Sequence, residues 1–563
     1  MVGVSGFSAI IMRMHTDIKS WKNVNAIYQI YPRSFQDANG DGVGDLRGVI
    51  DRLDYLKGTP DSLGIDAVWF SPFFPSPMAD FGYDVSDYCD IDPLFGTLDD
   101  FRELLDKAHT RDIKVMIDFV PNHTSSEHPW FLRSKSSKTN DKRDYYVWRD
   151  AKPDGSPPNN WLSIFGGSAW EWDETTGQYY LHTFLKEQPD LNWDNPHVRS
   201  EMAQVLRFWF ELGVDGMRAD AVRWISKDES LRDDPRNPKF TDQPPDDPYW
   251  GLIHVHSRFG PHLFDYLREL TNVVEDYENR IMIFEDYPDE AYTTRDQYLG
   301  FYGINPRVSM PFNFEGIGLP FTADAYRNFI TEFQGFLNQD EHTPVYCFGN
   351  HDQHRLATRT GKEQARVVAL TQLCLPGLPV VYYGDELGMT NGVIPPDAVH
   401  DPVQLRKPEL NEGRDPERTP MQWDASESAG FTAGAPWLPI AAGAGKCNVA
   451  AELKDDDSYL ALYRQLLDLR SRYDILRSGD YESVSGEADE QVFAFGRRRG
   501  EEHVFVAANF SKKPATFTLP HGGRVLVSVH PQRPPHIDQG GVVHLAPHDA
   551  ALIECAKHPL KKN

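Results

Sequence analysis

Eight short apolar runs, rich in β-branched and aromatic residues, recur along the chain between segments of helical periodicity. Segments such as 99–112 and 200–213 carry apolar residues at the spacing of an amphipathic helix. Buried strands that alternate with helices are typical of a parallel α/β sheet, and eight of them close into a (β/α)8, or TIM, barrel. A doubly wound open sheet is the alternative. The predicted strands lie within 25–31, 65–73, 113–120, 214–222, 280–286, 308–314, 343–352 and 378–386.

Two departures from this repeat divide the chain into domains. A long stretch rich in Trp, Pro, Gly and Asn follows the third run, which predicts a subdomain inserted over 121–197. Near its end the chain changes to short alternating strands, which predicts an antiparallel β-sandwich over 479–563. The barrel then comprises 21–120 and 198–478, and residues 1–20 form an N-terminal extension.

Charge and cysteine usage limit the possible partners. The chain has 84 Asp and Glu against 57 Lys and Arg, a net charge of −27, which disfavours nucleic acid and anionic membranes and leaves a small molecule as the expected partner. The five cysteines are scattered, without a CxxC pair. The apolar run at the N-terminus lacks a preceding basic residue, so we expect a cytoplasmic protein, either a monomer or a homodimer.

Three carboxylates stand where predicted strands end. Asp220 ends the fourth strand, Glu285 the fifth and Asp352 the seventh. Reacting groups of such barrels lie at the carboxyl ends of the strands, so we expect these side chains to face one pocket. Arg218 shares a strand face with Asp220, where it would hold that carboxylate ionised. A structural salt bridge is the alternative, but three converging carboxylates repel one another and favour a catalytic site.

Glycoside hydrolysis is the chemistry that needs two carboxyl groups in different states. In retaining enzymes one group protonates the leaving oxygen, and the other, ionised, attacks the sugar. Asp220 suits the nucleophile because Arg218 lies beside it, and Glu285 suits the acid because it follows the apolar run 281–284. Asp352 remains to oppose positive charge in the transition state and to bind sugar hydroxyls.

Five motifs occur in a fixed order along the chain. They are DFVPNH (118–123), QPDLN (188–192), GMRADAV (216–222), FED (284–286) and GNHDQHR (349–355). Four of them resemble the signature regions of glycoside hydrolase family 13, the α-amylase clan, and QPDLN resembles its oligo-1,6-glucosidase and α-glucosidase branch. The resemblance implies that Asp220 is the nucleophile, Glu285 the acid/base and Asp352 the transition-state stabiliser. It also implies contacts with the glucosyl unit or these carboxylates, from His123, Arg218 and His351.

The same resemblance implies a pocket that accepts only the non-reducing end of a substrate. The motif ADFGYD supplies Asp80 and Tyr83, and ERTPMQW supplies Arg418. Asp80 and Arg418 are expected to close off the subsite of the terminal glucose, with Tyr83 stacked beneath the ring and Phe165 as another wall. Core packing of Tyr83 and Phe165 is the alternative.

The residue after the nucleophile bears on which linkage is cleaved. In this branch valine there resembles the α-1,6-specific enzymes, whereas alanine, glycine or threonine goes with α-1,4 linkages, and here it is Ala221. We therefore expect a retaining, exo-acting α-glucosidase that prefers α-1,4 bonds and also transfers glucose to acceptors. An oligo-1,6-glucosidase or a sucrose-acting glucosyltransferase is the alternative. Phe284 replaces a common glycine and is expected to crowd the pocket without removing the acid.

An acidic loop, DANGDGVGD, follows the first predicted strand. Its oxygen donors match positions 1, 3, 5, 7 and 9 of an EF-hand-like loop and come from Asp37, Asn39, Asp41, the Val43 carbonyl and Asp45. The twelfth position is Gly48 instead of glutamate, which disfavours a calcium-responsive switch. A fixed structural Ca²⁺ or Mg²⁺ is expected, with a solvated acidic turn as the alternative. No motif for an organic cofactor is present.

Overall fold

The computed structural model describes residues 20–241, 247–288, 293–338, 340–486, 489–555 and 558–560. The predicted N-terminal extension therefore lies almost wholly outside the described residues. Within the described ranges no helix has both the length and the apolar character needed to cross a membrane. All five cysteines lie in these ranges as free thiols.

The strands and helices follow one another in the alternation that the sequence predicts. The strands are β1 (Ile27–Ile30), β2 (Ala67–Phe70), β3 (Lys114–Phe119), β4 (Trp148–Arg149), β5 (Trp170–Asp173), β6 (Gln178–Leu181), β7 (Gly216–Ala219), β8 (Ile281–Phe284), β9 (Ser309–Asn313), β10 (Val345–Cys347), β11 (Leu378–Tyr382), β12 (Asp480–Ser483), β13 (Val492–Arg499), β14 (Glu502–Asn509), β15 (Ala515–Thr518), β16 (Gly523–Ser528), β17 (His536–Ile537), β18 (Val542–Leu545) and β19 (Ala550–Cys555). The helices are α1 (Pro32–Phe35), α2 (Leu46–Leu56), α3 (Leu98–His109), α4 (Pro129–Ser136), α5 (Pro196–Leu212), α6 (Leu263–Glu275), α7 (Thr294–Tyr302), α8 (Ala323–Phe336), α9 (Leu356–Thr360), α10 (Lys362–Cys374), α11 (Pro402–Arg406), α12 (Val449–Glu452), α13 (Tyr459–Arg472) and α14 (Asp474–Ser478).

Eight parallel strands close into a barrel in the order β1-β11-β10-β9-β8-β7-β3-β2. Each predicted apolar run contains one of them, so the prediction of a closed barrel is confirmed and the doubly wound sheet is wrong. The strands are buried throughout because helices cover the outside of the barrel and side chains fill its interior. In the register, Arg218 on β7 lies opposite Asp118 on β3.

Two smaller assemblies accompany the barrel. The stretch after β3 contains the antiparallel sheet β4-β6-β5. At the C-terminal end, the five-stranded sheet β12-β13-β14-β19-β16 faces the three-stranded sheet β15-β18-β17. Phe505 on β14, Phe517 on β15 and Val543 on β18 share one apolar cluster between these two sheets, which confirms the predicted antiparallel β-sandwich.

A buried arginine on α13 ties together segments that are distant in sequence. Arg470 is fully buried and donates five hydrogen bonds of 2.7–3.0 Å to backbone carbonyls, which belong to Asn25, Leu373, Leu375, Leu476 and Gly377. Arg497 on β13 adds hydrogen bonds to the carbonyls of Cys374, Leu476 and Gly479. Burial, followed by the charge of Arg497, lowers the pKa of Arg470 to about 9. The two guanidinium groups therefore join the last barrel helices to the C-terminal sheets.

We expect Arg470→Ala to destabilise the protein by about 3–5 kcal/mol, because several buried carbonyls lose their donor at once. Urea unfolding of both proteins measures this difference. The control is Arg472→Ala on the same helix, whose side chain is 51% exposed and pairs with Asp468 at the surface; its change should stay below about 1 kcal/mol. Equal effects of the two substitutions would contradict the structural role of Arg470.

Candidate active site

The barrel brings the three predicted carboxylates to one cavity. Asp220 comes directly after β7, Glu285 directly after β8, and Asp352 follows β10. All three line a cavity of about 850 Å³. The cavity opens where the barrel strands end, which is the edge at which such folds carry their chemistry.

Arg218 is the central cation of the site. Its buried guanidinium lies 2.7 Å from Asp220 through Nη1 and 3.1 Å from Glu285 through Nη2. Nη1 also lies 2.7 Å from Asp118 on the neighbouring strand β3. One guanidinium therefore contacts three carboxylates from three adjacent strands, and its planar fork of donors suits this task.

The backbone after Asp220 also contacts the second carboxyl group. Ala221 has a φ of +50° in the left-handed region, which is uncommon for a residue other than glycine. In this conformation its N–H donates a 2.7 Å hydrogen bond to Oε2 of Glu285. The turn thus joins the segments that carry Asp220 and Glu285. Ala221 is itself buried and forms part of the cavity wall.

The carboxyl pKa values in the cavity move in opposite directions. Burial raises the pKa of Asp220 well above its ordinary value, and the neighbouring Glu285 adds to this rise. Arg218 opposes the rise, in the sense that the sequence predicts, but does not cancel it. Burial also raises the pKa of Asp118, to about 6. For Asp352 burial acts in the same sense, but His351 and the neighbouring arginines outweigh it and lower the pKa. Among these neighbours Arg418 and Arg414 lie 2.9 and 3.2 Å from its Oδ1.

His351 and Tyr83 belong to a chain of polar contacts that ends at Asp118. Gln29 Nε2 lies 2.8 Å from Nδ1 of His351, and Nε2 of the same ring lies 2.6 Å from the Tyr83 hydroxyl. The hydroxyl in turn donates to Asp118 over 2.8 Å. Burial lowers the pKa of His351 well below its ordinary value. The Tyr83 and His351 rings stack, with centroids 5.5 Å apart.

The predicted partner of Asp80 is corrected by the structure. Arg414 Nη2, and not Arg418, lies 2.8 Å from Asp80 Oδ1, and it also contacts Asp401 at 2.7 Å. Arg418 lies deeper and donates to the His351 carbonyl and to Asp352. The two arginines flank the short 3₁₀ turn Asp415–Glu417, but Arg414 lines the cavity whereas Arg418 lies behind its wall, a difference that the sequence spacing does not indicate.

The remaining predicted residues also reach the cavity. His123, Phe165 and Tyr83 are buried and line it. The ring of Phe165 lies beneath the Arg414 guanidinium, 5.2 Å from its carbon to the ring centroid. His123 lies 3.1 Å from the Gln188 amide nitrogen, and burial lowers the pKa of this histidine to about 4.

Sequence reasoning missed three charged residues of the site. Asp118 begins the quoted motif DFVPNH, and its position opposite Arg218 became visible only with the strand register. Arg414 precedes Arg418 by one turn, and Asp401 lies in the long connection after β11. A search for acidic residues opposite Arg218 in a closed barrel would have found Asp118. No comparable sequence signal marks Asp401.

The acidic loop lies between β1 and α2, as predicted. Oδ1 of Asp37 accepts the N–H groups of Asn39 and Gly40, and Oδ2 accepts that of Gly42 and the Thr432 hydroxyl. Gly42 has a φ of +94°, and a Cβ there would meet the Ala435 carbonyl oxygen at 1.9 Å. The loop is thus folded by its own turn and by the segment after β11.

The oxygen donors of Asp37, Asn39, Asp41, Val43 and Asp45 suit a hard cation in chemical type. Across the residues that the structure describes, however, no group of three or more His, Cys, Asp or Glu side chains is arranged to hold a metal ion. The cation at this loop therefore stays a prediction.

Comparison with known proteins identifies the family. The sequence profile of the α-amylase catalytic domain matches residues 29–479, and that of the maltogenic amylase C-terminal domain matches residues 482–552. The chain belongs to the α-amylase family of glycoside hydrolases, family 13. The resemblance inferred from the five motifs is therefore confirmed.

The similarity to individual relatives extends over nearly the whole chain. The chain is 40% identical to an oligo-1,6-glucosidase of Parageobacillus thermoglucosidasius, over 89% of this chain and 92% of the relative. It is 40% identical to a probable α-glucosidase of Rhizobium meliloti, with coverages of 89% and 91%. Its structure resembles that of an α-glucosyl transfer enzyme with a TM-score of 0.88, at 39% identity over 95% of this chain and 99% of that one. The protein is thus a glycoside hydrolase of the oligo-1,6-glucosidase and α-glucosidase type.

We expect Asp220→Asn to abolish turnover without loss of stability. The pKa of Asp220 is higher in the folded protein than in the unfolded chain. At neutral pH the unfolded chain therefore gains free energy by releasing this proton, which lowers the stability of the folded protein. The variant should lose at least about 10³-fold in kcat. Its Tm should equal or exceed that of the parent at pH 7, and this gain should shrink as the pH falls to about 4, the ordinary pKa of Asp, because the unfolded chain then begins to bind the same proton.

Steady-state kinetics and calorimetry at pH 4 and pH 7 measure the two effects. Asp99→Asn, at an exposed position on α3, is the matched control and should change neither. Substantial remaining turnover in Asp220→Asn would exclude Asp220 as the nucleophile.

Proposed function

We propose that the protein is a retaining, exo-acting α-glucosidase that releases terminal non-reducing glucose from short glucosides through a covalent glucosyl-enzyme. The observation that carries this proposal is the contact of one guanidinium, Arg218, with both Asp220 and Glu285. Two carboxyl groups held close together are typical of retaining glycosidases, in which one is the nucleophile.

The proposed reaction has two steps, and both Asp220 and Glu285 take part in each. Asp220 attacks the anomeric carbon while Glu285 gives its proton to the leaving oxygen. Water or another hydroxyl then attacks the glucosyl ester, and Glu285 takes up its proton. Asp352 stays ionised beside Arg414 and Arg418, and its charge opposes the positive charge that develops on the sugar ring.

The exo-action is supported by the charged wall around Asp80. Arg414 bonds Asp80, Asp352 and Asp401 at 2.7–3.2 Å, and all four groups are largely withdrawn from solvent. We expect this closed network to leave room for a terminal glucose and to block a substrate whose sugar chain continues beyond it. Its charged groups can bind the hydroxyls of that glucose.

The preference for α-1,4 bonds is proposed from Ala221. Its methyl group leaves more room next to the nucleophile than valine would. The names of the relatives support both linkages, since one is an oligo-1,6-glucosidase and another a probable α-glucosidase. A glucosyltransferase is the second candidate, because the similar α-glucosyl transfer enzyme is named for that reaction.

An uncharged leaving group is supported by two of the cations that line the cavity, Lys407 and Arg223, because both already have acidic partners. Lys407 Nζ lies 2.6 Å from Asp247 and donates to the Ile164 carbonyl. Arg223 lies 2.7 Å from Asp286. Since acidic partners already neutralise these two cations, they are poorly placed to select a phosphorylated sugar.

The test is product analysis by NMR with maltose, isomaltose and sucrose at low and high concentration. We expect maltose to release glucose as the α-anomer, and to do so faster than isomaltose. At high substrate concentration we also expect new glucosides, because substrate molecules then compete with water as acceptors. Initial release of the β-anomer would contradict the retaining mechanism. Faster cleavage of isomaltose would contradict the linkage, and glucosyl transfer without free glucose would favour the second candidate.

Ala221→Val in the same assay should lower the ratio of maltose to isomaltose cleavage several-fold, because the added methyl groups narrow the space beside Asp220. Valine is strained at a φ of +50°, at a cost of about 1–3 kcal/mol. Ala221→Gly is therefore the control, since it relieves this strain without adding volume. An unchanged ratio in the valine variant would refute the role of Ala221 in linkage selection.

We further propose that the loop 37–45 binds one structural divalent cation, Ca²⁺ or Mg²⁺, through Asp37, Asn39, Asp41, the Val43 carbonyl and Asp45. Its support is the all-oxygen donor set and the backbone turn at Gly42. A bound ion would hold the start of α2 against the segment after β11, away from the reacting groups.

Addition of millimolar Ca²⁺ to EDTA-treated protein should then raise Tm by several degrees, because an ion that binds only the folded state stabilises it by about 2.7 kcal/mol at 100 times its Kd. Calorimetry measures this shift, with Mg²⁺ in parallel. Asp41→Ala should remove the shift and Asp99→Ala should keep it. The same Tm with and without both ions would overturn the proposal.

A further inference from the structure

A tryptophan stands exposed at the mouth of the active-site cavity. Trp250 is 54% exposed and yet belongs to the residues that line this cavity. Its neighbours Leu252 and Ile253 line the cavity as well and are partly exposed. A large aromatic side chain left in water at a cavity mouth, with further apolar residues beside it, is typical of a ligand contact.

The segment that carries Trp250, here called the mouth arm (residues 234–241 and 247–258), is held by its own hydrogen bonds. Asn237 N–H donates to the Gly251 carbonyl, and its side-chain amide donates to the Trp250 carbonyl, both over 2.9 Å. Ile253 N–H donates to the Pro235 carbonyl over 2.8 Å. The backbone on both sides of Trp250 is therefore fixed, so that its ring projects from a preformed support.

A buried histidine fixes the aromatic base of the mouth arm. His254 stacks on Tyr249 with ring centroids 3.9 Å apart, and its Nδ1 lies 3.3 Å from Asp234. The Trp250 ring stands edge-on to Tyr249 at 5.2 Å and 85°. The structure thus gives His254 a positioning role at the base of the mouth arm.

The mouth arm and the proposed acid, Glu285, line the same cavity. Arg223, at the start of the same connection, bonds Asp286 and the Tyr287 carbonyl, which directly follow Glu285. Phe259, directly after the mouth arm, donates its N–H to the Arg223 carbonyl over 2.8 Å. Since Glu285 protonates the leaving oxygen, the group attached to that oxygen meets the side of the cavity that Trp250 lines. The Asp80 and Arg414 network closes the glucose side.

We propose that Trp250 selects the leaving group, and that it favours α-glucosides whose aglycone is flat and apolar, such as an aryl group, over those whose aglycone is a sugar. This inference rests on the proposed function. Trp250 offers a ring face for stacking. In the cleavage, Asp220 forms its bond to the anomeric carbon as the bond from that carbon to the aryl oxygen breaks, and the aryl oxygen takes the Glu285 proton.

The experiment compares kcat/KM for p-nitrophenyl α-glucoside and maltose in the full-length protein and in Trp250→Ala. We expect kcat/KM for the aryl glucoside to fall about tenfold, mainly through KM, because the stacking contact is lost. The value for maltose should fall less, so that the ratio of the two donors drops at least about threefold. Trp250→Phe keeps a ring face and should restore most of the ratio.

Trp172→Ala is the matched control. Trp172 is also an exposed tryptophan, 38% exposed, but it lies on β5, packs on Tyr179 and does not line the cavity. This control should keep the ratio of the parent.

The possible outcomes distinguish a failure of the role proposed for Trp250 from a failure of the proposed α-glucosidase function. If the parent cleaves both donors and Trp250→Ala keeps the ratio, only the role of Trp250 is overturned, and the same holds if Trp250→Phe behaves like the alanine variant. If the parent cleaves neither maltose nor the aryl glucoside, the proposed α-glucosidase function falls, and this inference falls with it.

Discussion

The buried guanidinium of Arg218 is the group on which the site depends. It lies within 3.1 Å of Asp118, Asp220 and Glu285, all on neighbouring strands. Three carboxylates withdrawn from water repel one another strongly, and only a fixed positive charge between them lets them share so small a volume. Burial nevertheless keeps the pKa values of Asp118 and Asp220 above the ordinary value despite this cation.

The charged surroundings of Asp352 differ from those of Asp220. Arg414 and Arg418 both contact this carboxylate, and its pKa falls although burial acts to raise it. Two aspartates in one cavity thus differ in proton affinity because their charged neighbours differ. Burial and Glu285 raise the pKa of Asp220, whereas His351, Arg414 and Arg418 lower that of Asp352. This division lets residues of the same type take different roles, one as a group that changes state during the reaction and one as a permanent negative charge. The mouth arm adds the apolar surface that the charged end of the cavity lacks.

Much of this arrangement could be predicted without coordinates. Eight apolar runs sufficed for the barrel, because strands buried on both faces need nearly continuous apolar sequence. The positions of Asp220, Glu285 and Asp352 at strand ends followed from the same pattern. The partner of Asp80 could not be predicted, because Arg414 and Arg418 are one turn apart and either has the reach. Their depth depends on how a long irregular connection folds over the barrel.

The sequence by itself determined the fold class, the family and the strand ends that carry the carboxylates, since local periodicity and short motifs encode these features. Only the tertiary structure decided which charges meet. The contact of Arg218 with Asp118 depends on the register of β7 and β3, and the place of Trp250 depends on hydrogen bonds between the two sides of the mouth arm. Ion pairs and cavity walls form between residues far apart in the chain, so their geometry arises only when the barrel closes.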